Sequence, residues 1–400
     1  MRLSTPKLLM SLAVLALAGQ SFAGGIYLYE TGTEDVGLAN AGTAARAQDA
    51  STVVSNPAGM TQLSGNQMLL AGQMLYGDLP YTLEHPNLKG SDPVVGWLPG
   101  GSAYYSHSLS NDLKLGVGFY GNFGLSLDFD SDWAGRTLVK QATMMGLTLQ
   151  PAVGYRVNDQ LSLGAGLGIN YGIFELTRDN FVGGGESSQK DHDWATNLRL
   201  GATFAPASAT RLGVTYASKV DYKFAVDKTG SVPITGNSWS LPVGLGVSAP
   251  QQLMFSGVQR IDSKLSLLGN IGWQDWSQFS DMDINAGNVS GSSPMQLQDT
   301  WHFAVGAQYQ LQPATRLNAG IAFDNSMYKD NNQISLTMPT ADSWRFGVGI
   351  QQQLDSKASL GASFEYLDSK NGCAQSPAIL AGCYNNPKMY FMALNYGYRF

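Results

Sequence analysis

The sequence predicts an all-β fold: a 14-stranded antiparallel transmembrane β-barrel with an N-terminal hatch, or plug, inside its lumen. Three observations carry that reading. The last eleven residues alternate strictly, with Tyr390, Met392, Leu394, Tyr396, Tyr398 and Phe400 on one face and Phe391, Ala393, Asn395, Gly397 and Arg399 on the other. A two-residue period belongs to a strand with one apolar side and one wetter side, and its length matches the roughly 9 to 11 residues that a tilted strand needs to cross a bilayer. The same alternation recurs along the chain, and long polar connections alternate with short turns, as in outer-membrane barrels.

The chain opens on a leader. Arg2 and Lys7 precede an apolar run from Leu8 to Ala18, and Ser21-Phe22-Ala23 offers an A-x-A-like cleavage site. The run is too short for a membrane helix, so residues 1–23 are expected to be a signal peptide, with the mature chain starting near Gly24. Residues 24–65 follow, rich in Ala and Gly, with helix-compatible stretches around Val36 to Ala50 and a break at Ser55-Asn56-Pro57-Ala58-Gly59. They are too many for a linker and too poor in apolar residues to fold alone, so they are expected to lodge inside the barrel as the hatch. Within it Asn56, Pro57 and Ala58 should hold a turn against the wall, since Pro fixes φ and Asn bonds nearby backbone.

Residues 66–400 form the barrel. Alternating segments lie near 66–76, 100–109, 113–124, 139–156, 161–171, 193–205, 211–224, 251–261, 264–277, 301–309, 315–324, 342–353, 357–368 and 390–400, with the pattern blurred at 251–261. Short turns such as Asn158-Asp159 and Asp355-Ser356 alternate with long loops near 77–99, 125–138, 178–192, 225–250, 278–296, 325–341 and 369–387. Short turns on the periplasmic side put both ends of the barrel there. Trp273, Trp276, Trp301, Trp344, Tyr396 and Tyr398 suit interfacial girdles. Cys373 and Cys383, in one polar segment of an exported chain, are expected to form a local loop disulfide.

Composition narrows the function. With 47 Gly and only 14% charged residues, the mean hydropathy of −0.10 is that of a barrel with one lipid-facing and one wet side. A net charge of −6 argues against nucleic-acid binding, which needs a basic stripe. The inward positions are small and mostly uncharged, with apolar exceptions at Met144, Phe174, Leu176, Leu268 and Phe391. Such a lumen either passes something partly apolar or makes room for the plug. The four histidines are scattered, and no hydrolase, phosphate-loop or metal-ligand pattern accompanies them, so no enzyme, cofactor or metal is expected.

Several short motifs, in order and at matching spacing, give the chain its resemblance to a known family. They are Gly24-Gly25, Gly37-Leu38-Ala39-Asn40-Ala41-Gly42, Asn56-Pro57-Ala58, Asn122-Phe123-Gly124-Leu125, Trp276-Ser277-Gln278-Phe279, Gly320-Ile321-Ala322-Phe323-Asp324 and Tyr396-Gly397-Tyr398-Arg399-Phe400. Over essentially its whole mature length the chain resembles the FadL/toluene-transporter family of outer-membrane proteins. The resemblance implies capture of a long-chain fatty acid or hydrocarbon at the outer loops, binding inside, and sideways release into outer-membrane lipid beside a kinked third strand. Phe123 and Gly124 mark that exit, and Gly121 and Gly124 would permit the bend. It also implies Arg178 as the carboxylate anchor, through a bidentate fork. Lys140 is the next choice, ahead of Lys219 and Lys223, all by inward parity near the outer rim. Gln298 replaces a second cation of the family, which keeps neutral aromatic hydrocarbons open as substrates. A non-transporting receptor or adhesin is the alternative of another class, and the protein is expected to work as a monomer.

A barrel of this kind should migrate faster unheated than boiled in a detergent gel, with circular dichroism dominated by β-structure. A strongly helical spectrum would contradict the fold.

Overall fold

A computed structural model describes residues 29–180, 184–231, 238–286, 289–294, 296–375 and 377–400, so the expected signal peptide lies outside the described residues. Fourteen strands close into a barrel in chain order: β1 (Gln67–Asp78), β2 (Gly96–Ser108), β3 (Leu113–Asp128), β4 (Gln141–Arg156), β5 (Leu161–Asp179), β6 (Glu186–Ala207), β7 (Thr210–Ala217), β8 (Gln252–Arg260), β9 (Leu265–Gln274), β10 (Thr300–Gln312), β11 (Thr315–Asp324), β12 (Ser343–Gln353), β13 (Ala358–Ser369) and β14 (Lys388–Arg399). The last strand closes on the first, antiparallel, from Gln67↔Arg399 to Asp78↔Lys388. Alternation sets the faces: Leu394 is 67% exposed toward lipid, whereas its neighbours Ala393 and Asn395 are buried inward.

The short turns are held by aspartates. Asp262 accepts from the amides of Lys264 and Leu265, and Asp355 from those of Ala358 and Lys357, at 2.7 to 2.8 Å. These amides hold both carboxyls below the usual carboxylate range, because each N–H bonds the charged form.

Three expected boundaries are corrected. β5 runs to Asp179 and β6 starts at Glu186, so most of the 178–192 loop is strand. The 211–224 segment divides, with β7 ending at Ala217 and a new strand, Val220–Ser231, pairing instead with Ser238–Ala249. That hairpin and a second one, Asp281–Ala286 with Val289–Pro294, form a separate four-stranded sheet from the loops 225–250 and 278–296. Beyond the membrane both faces of a strand meet water or other loops, so the apolar alternation that marks a spanning strand fades while pairing continues. Other outer loops make a small sheet, Tyr81–Leu83, Gly382–Tyr384 and Gly372–Ala374, with a Cys373–Cys383 disulfide across its paired strands. Within this sheet the Tyr81 and Tyr384 rings lie 4.7 Å apart, and burial raises both phenols above their ordinary range.

Residues 29–66 run inside the barrel. A short helix, α1 (Thr33–Gly37), a second, α2 (Thr52–Ser55), and a 3-10 turn at Pro57–Gln62 are almost wholly buried. The wall admits their backbone because it is glycine there: a Cβ would lie 2.2 Å from Ala58 N at Gly164, 2.0 Å from Ala44 O at Gly213 and 1.9 Å from Leu38 O at Gly320. Leu268, one of the apolar inward positions, packs with Leu38, Ala39 and Ala41. The small inward residues of this level therefore make room for the segment. Wall side chains then hold it: Gln150 donates to Val53 O, Arg211 to Ala45 O and Arg46 O, and Asn270 accepts from Gly42 N.

Deleting residues 26–60 should leave an inserted, heat-modifiable barrel whose permeability to small polar solutes rises severalfold. Unchanged permeability would mean that the segment does not obstruct the lumen.

Candidate functional site

The wall has an opening beside β3. β2 and β3 pair only from Ser108↔Lys114 to Ala103↔Phe119, although β2 stays paired with β1 as far as Gly96 and β3 with β4 as far as Asp128. The β3 register shifts between Gly121 and Phe123, which is a bulge and exchanges the strand's two faces. Before it Lys114, Gly118 and Tyr120 are buried inward; after it Phe123, Leu125 and Leu127 are. Gly124 has φ +149° and an added Cβ would meet Met144 O at 2.6 Å, so the bend depends on glycine. A 440 Å³ cavity fills the opening. It is lined by Leu75, Phe123 and Phe391 from the lumen and by Met74, Met145 and Met392, which are 37 to 40% exposed on the lipid face.

Above the buried segment the lumen is apolar. Met144, Phe174, Leu176 and Phe391 join one cluster with Phe123, Leu125 and Phe224, and the Phe174 and Phe224 rings lie 5.6 Å apart. Arg178, opposite Ser187 at the outer end of β5, follows Phe174 and Leu176 in inward parity. It is half-buried and has no carboxylate partner among the described residues. Lys140 is occupied by Glu186 and Asp179, 3.5 Å from the latter, and the Glu186 hydrogen bond raises its ammonium above the usual range.

Other expected positions change. Lys219 and Lys223 are exposed, because the chain leaves the barrel after Ala217 and turns Val220, Tyr222 and Phe224 inward instead. Trp276 is not in a girdle: the strand ends at Gln274, and the 3-10 turn Trp276–Ser280 carries the indole inside, 2% exposed. Trp301, Trp344 and Tyr396 do face lipid. Asn56 donates to Ala44 O and Ala202 O and accepts from Ala58 N, tying the Pro57 turn to β6. Gln298 donates to the carbonyls of Ser326 and Tyr328, so its amide is spent on a loop.

A buried ionic cluster was missed in the sequence. Arg345 on β12 pairs with Glu30, with Asp324 at 2.7 Å and with Glu365 at 3.0 Å. His302 Nδ1 lies 2.8 Å from Asp324, and the ring of Tyr29 stacks on His302 at 4.3 Å and beneath Arg345. The cluster ties the start of the described chain to the wall. Its signal was the inward parity of three charged strand residues, Asp324, Arg345 and Glu365.

The sequence that forms this closed 14-strand barrel matches, over residues 14–400, the model of "Outer membrane protein transport protein (OMPP1/FadL/TodX)". The chain belongs to this family. It is thus an outer-membrane barrel of a transport family. Outer membrane protein P1 of Haemophilus influenzae is 25% identical over 80% of each chain, and the long-chain fatty acid transport protein of Escherichia coli K12 is 22% identical over 82% of this chain and 84% of its own. In fold it is similar to a Pseudomonas aeruginosa FadL homologue (TM-score 0.80, 17% identity, 95% of this chain and 100% of that one). The toluene transporter TodX of P. putida superposes with a TM-score of 0.72 at 15% identity, over 92% of this chain and 98% of its own.

Gly124→Val should straighten the bulge and narrow the opening. Ligand binding to purified protein should stay unchanged while uptake by cells slows for anionic and neutral compounds alike; normal uptake would separate the opening from transport.

Proposed function

We propose that the protein takes up long-chain fatty acids and related hydrophobic compounds, neutral hydrocarbons included, and releases them sideways into the outer membrane between β2 and β3. The observation that carries this reading is the methionine-edged cavity continuous from lumen to lipid face. An apolar chain leaving by that route passes from one apolar environment to another and need not be hydrated. Straight passage to the periplasm is occupied by residues 29–66, so the side exit is the shorter dry path. Capture is assigned to the outer loops, and the interior station to the apolar band around Phe174 and Leu176. Relatives named for fatty acid and for toluene transport support this range of cargo.

For a carboxylate head the anchor proposed is Arg178. Its guanidinium stands at the rim of the apolar band with no carboxylate of its own among the described residues, whereas Lys140 is already neutralised. Growth of a deletion strain on oleate or toluene, with and without the restored gene, tests transport directly; equal growth of both strains on both substrates would end the reading.

Arg178→Ala removes a charge-assisted bond, so oleate binding should weaken by about 10- to 100-fold while a neutral hydrocarbon binds nearly as before. Intact oleate affinity would place the anchor elsewhere.

A further inference from the structure

We propose a second interior station, selective for uncharged apolar molecules that carry one hydrogen-bond acceptor, in the cavity at the outer ends of β9 to β14, with the Gln274 amide as its donor. The cavity, about 90 Å³ and open on one side, lies among Leu79, Trp276, Met327, Leu367 and Met389, with Gln274 and Thr340 also on its wall, so it takes the acceptor end of a ligand whose ring rests at its mouth. Gln274 is the last residue of β9, opposite Thr300, and only 4% exposed. Its Oε1 accepts from Trp276 Nε1 at 2.8 Å and from Thr300 Oγ1 at 3.3 Å. An indole nitrogen can only donate, so the amide oxygen must face Trp276 and the amide nitrogen must point away from it. That nitrogen has no hydrogen-bond partner among the described residues, and neither has the Thr340 hydroxyl on the same wall. A buried donor left unmade is costly, and a ligand acceptor that reaches it recovers the loss.

Charge sets the class of ligand. Asp324 and Arg345 both line the cavity wall, and the Arg345 guanidinium is already shared by Asp324, Glu30 and Glu365. A carboxylate entering here would find the one cation already engaged and would stand beside Asp324, whereas a ketone, aldehyde, ester or ether offers an acceptor without a charge. The station thus complements Arg178 on the far side of the lumen, and its use in uptake rests on the transport reading above, though its binding preference does not.

Calorimetric titration of the purified full-length protein with acetophenone, ethylbenzene and phenylacetate tests the proposal. These share a ring and differ at the polar group. Acetophenone should bind about 10-fold tighter than ethylbenzene, with phenylacetate no tighter than ethylbenzene in an Arg178→Ala background. Gln274→Glu, which keeps an acceptor for Trp276, and Gln274→Met, which adds no charge, should each abolish the ketone's advantage while leaving ethylbenzene unchanged. Only variants that retain the heat-dependent gel shift count. A wild-type protein that does not prefer the ketone, or a folded variant that still does, overturns the station. Loss of cellular uptake with the preference intact would instead strike the transport reading and leave the station standing.

Discussion

Hydrocarbon around a barrel accepts no hydrogen bonds, so every backbone N–H and C=O at membrane depth must find its partner within the protein. That constraint closes the sheet, and it makes a sideways exit difficult. Here each strand at the opening gives up only one of its two neighbours. β2 remains paired with β1 through Gly96↔Gly77, and β3 remains paired with β4 through Asp128↔Gln141, so the ladder is lost only between β2 and β3. The bulge at Gly121 to Phe123 bends the strand and turns a row of apolar side chains, Phe123, Leu125 and Leu127, into the lumen. The unpaired edge thus faces a cavity rather than a continuous lipid surface.

The same demand governs the buried N-terminal segment. It has too little regular structure to satisfy its own backbone, so the wall does part of that work with side chains. Asn270, Ser256, Gln150 and Arg211 bond its peptide groups, and glycines allow the approach that those bonds require. An inward face that is polar and glycine-rich is therefore what a barrel needs in order to hold an irregular segment, rather than a sign of a wide aqueous pore.

How much of this could be read from sequence follows from where water and lipid lie. The fourteen spanning strands were readable, even the blurred 251–261 segment, because one face meets lipid and the alternation survives there. Beyond the membrane, at 178–192 and 225–250, no such contrast exists, and pairing there was invisible. Gly121 and Gly124 pointed to the bend, but the exchange of faces depends on one extra residue in the register, which the pattern alone does not reveal. Trp276 leaves the girdle position that alternation predicts because the strand ends at Gln274 and a 3-10 turn begins at Trp276. The ionic cluster is not legible in the sequence because Asp324, Arg345 and Glu365 meet only through the register of three adjacent strands, β11 to β13, and Glu30 joins them from the buried segment.

Neutralisation of the interior cations bears on what the lumen can hold. Arg46 pairs with Asp35 and Glu34, Arg316 with Glu34, and Arg345 with three carboxylates. Arg211 spends its guanidinium on backbone carbonyls of the buried segment. These charges fix the segment to the wall, and a buried ion pair that is already satisfied has little to offer a ligand's carboxylate. Arg178 differs in standing at the rim of the apolar band with no carboxylate beside it among the described residues. In the reading proposed above, affinity for anionic heads depends on this one position near the outer loops, where water still screens an approaching charge. The rest of the proposed route offers only shape and neutral hydrogen bonding, which suits a path that ends in lipid, since a head group that keeps its full charge would resist that last step.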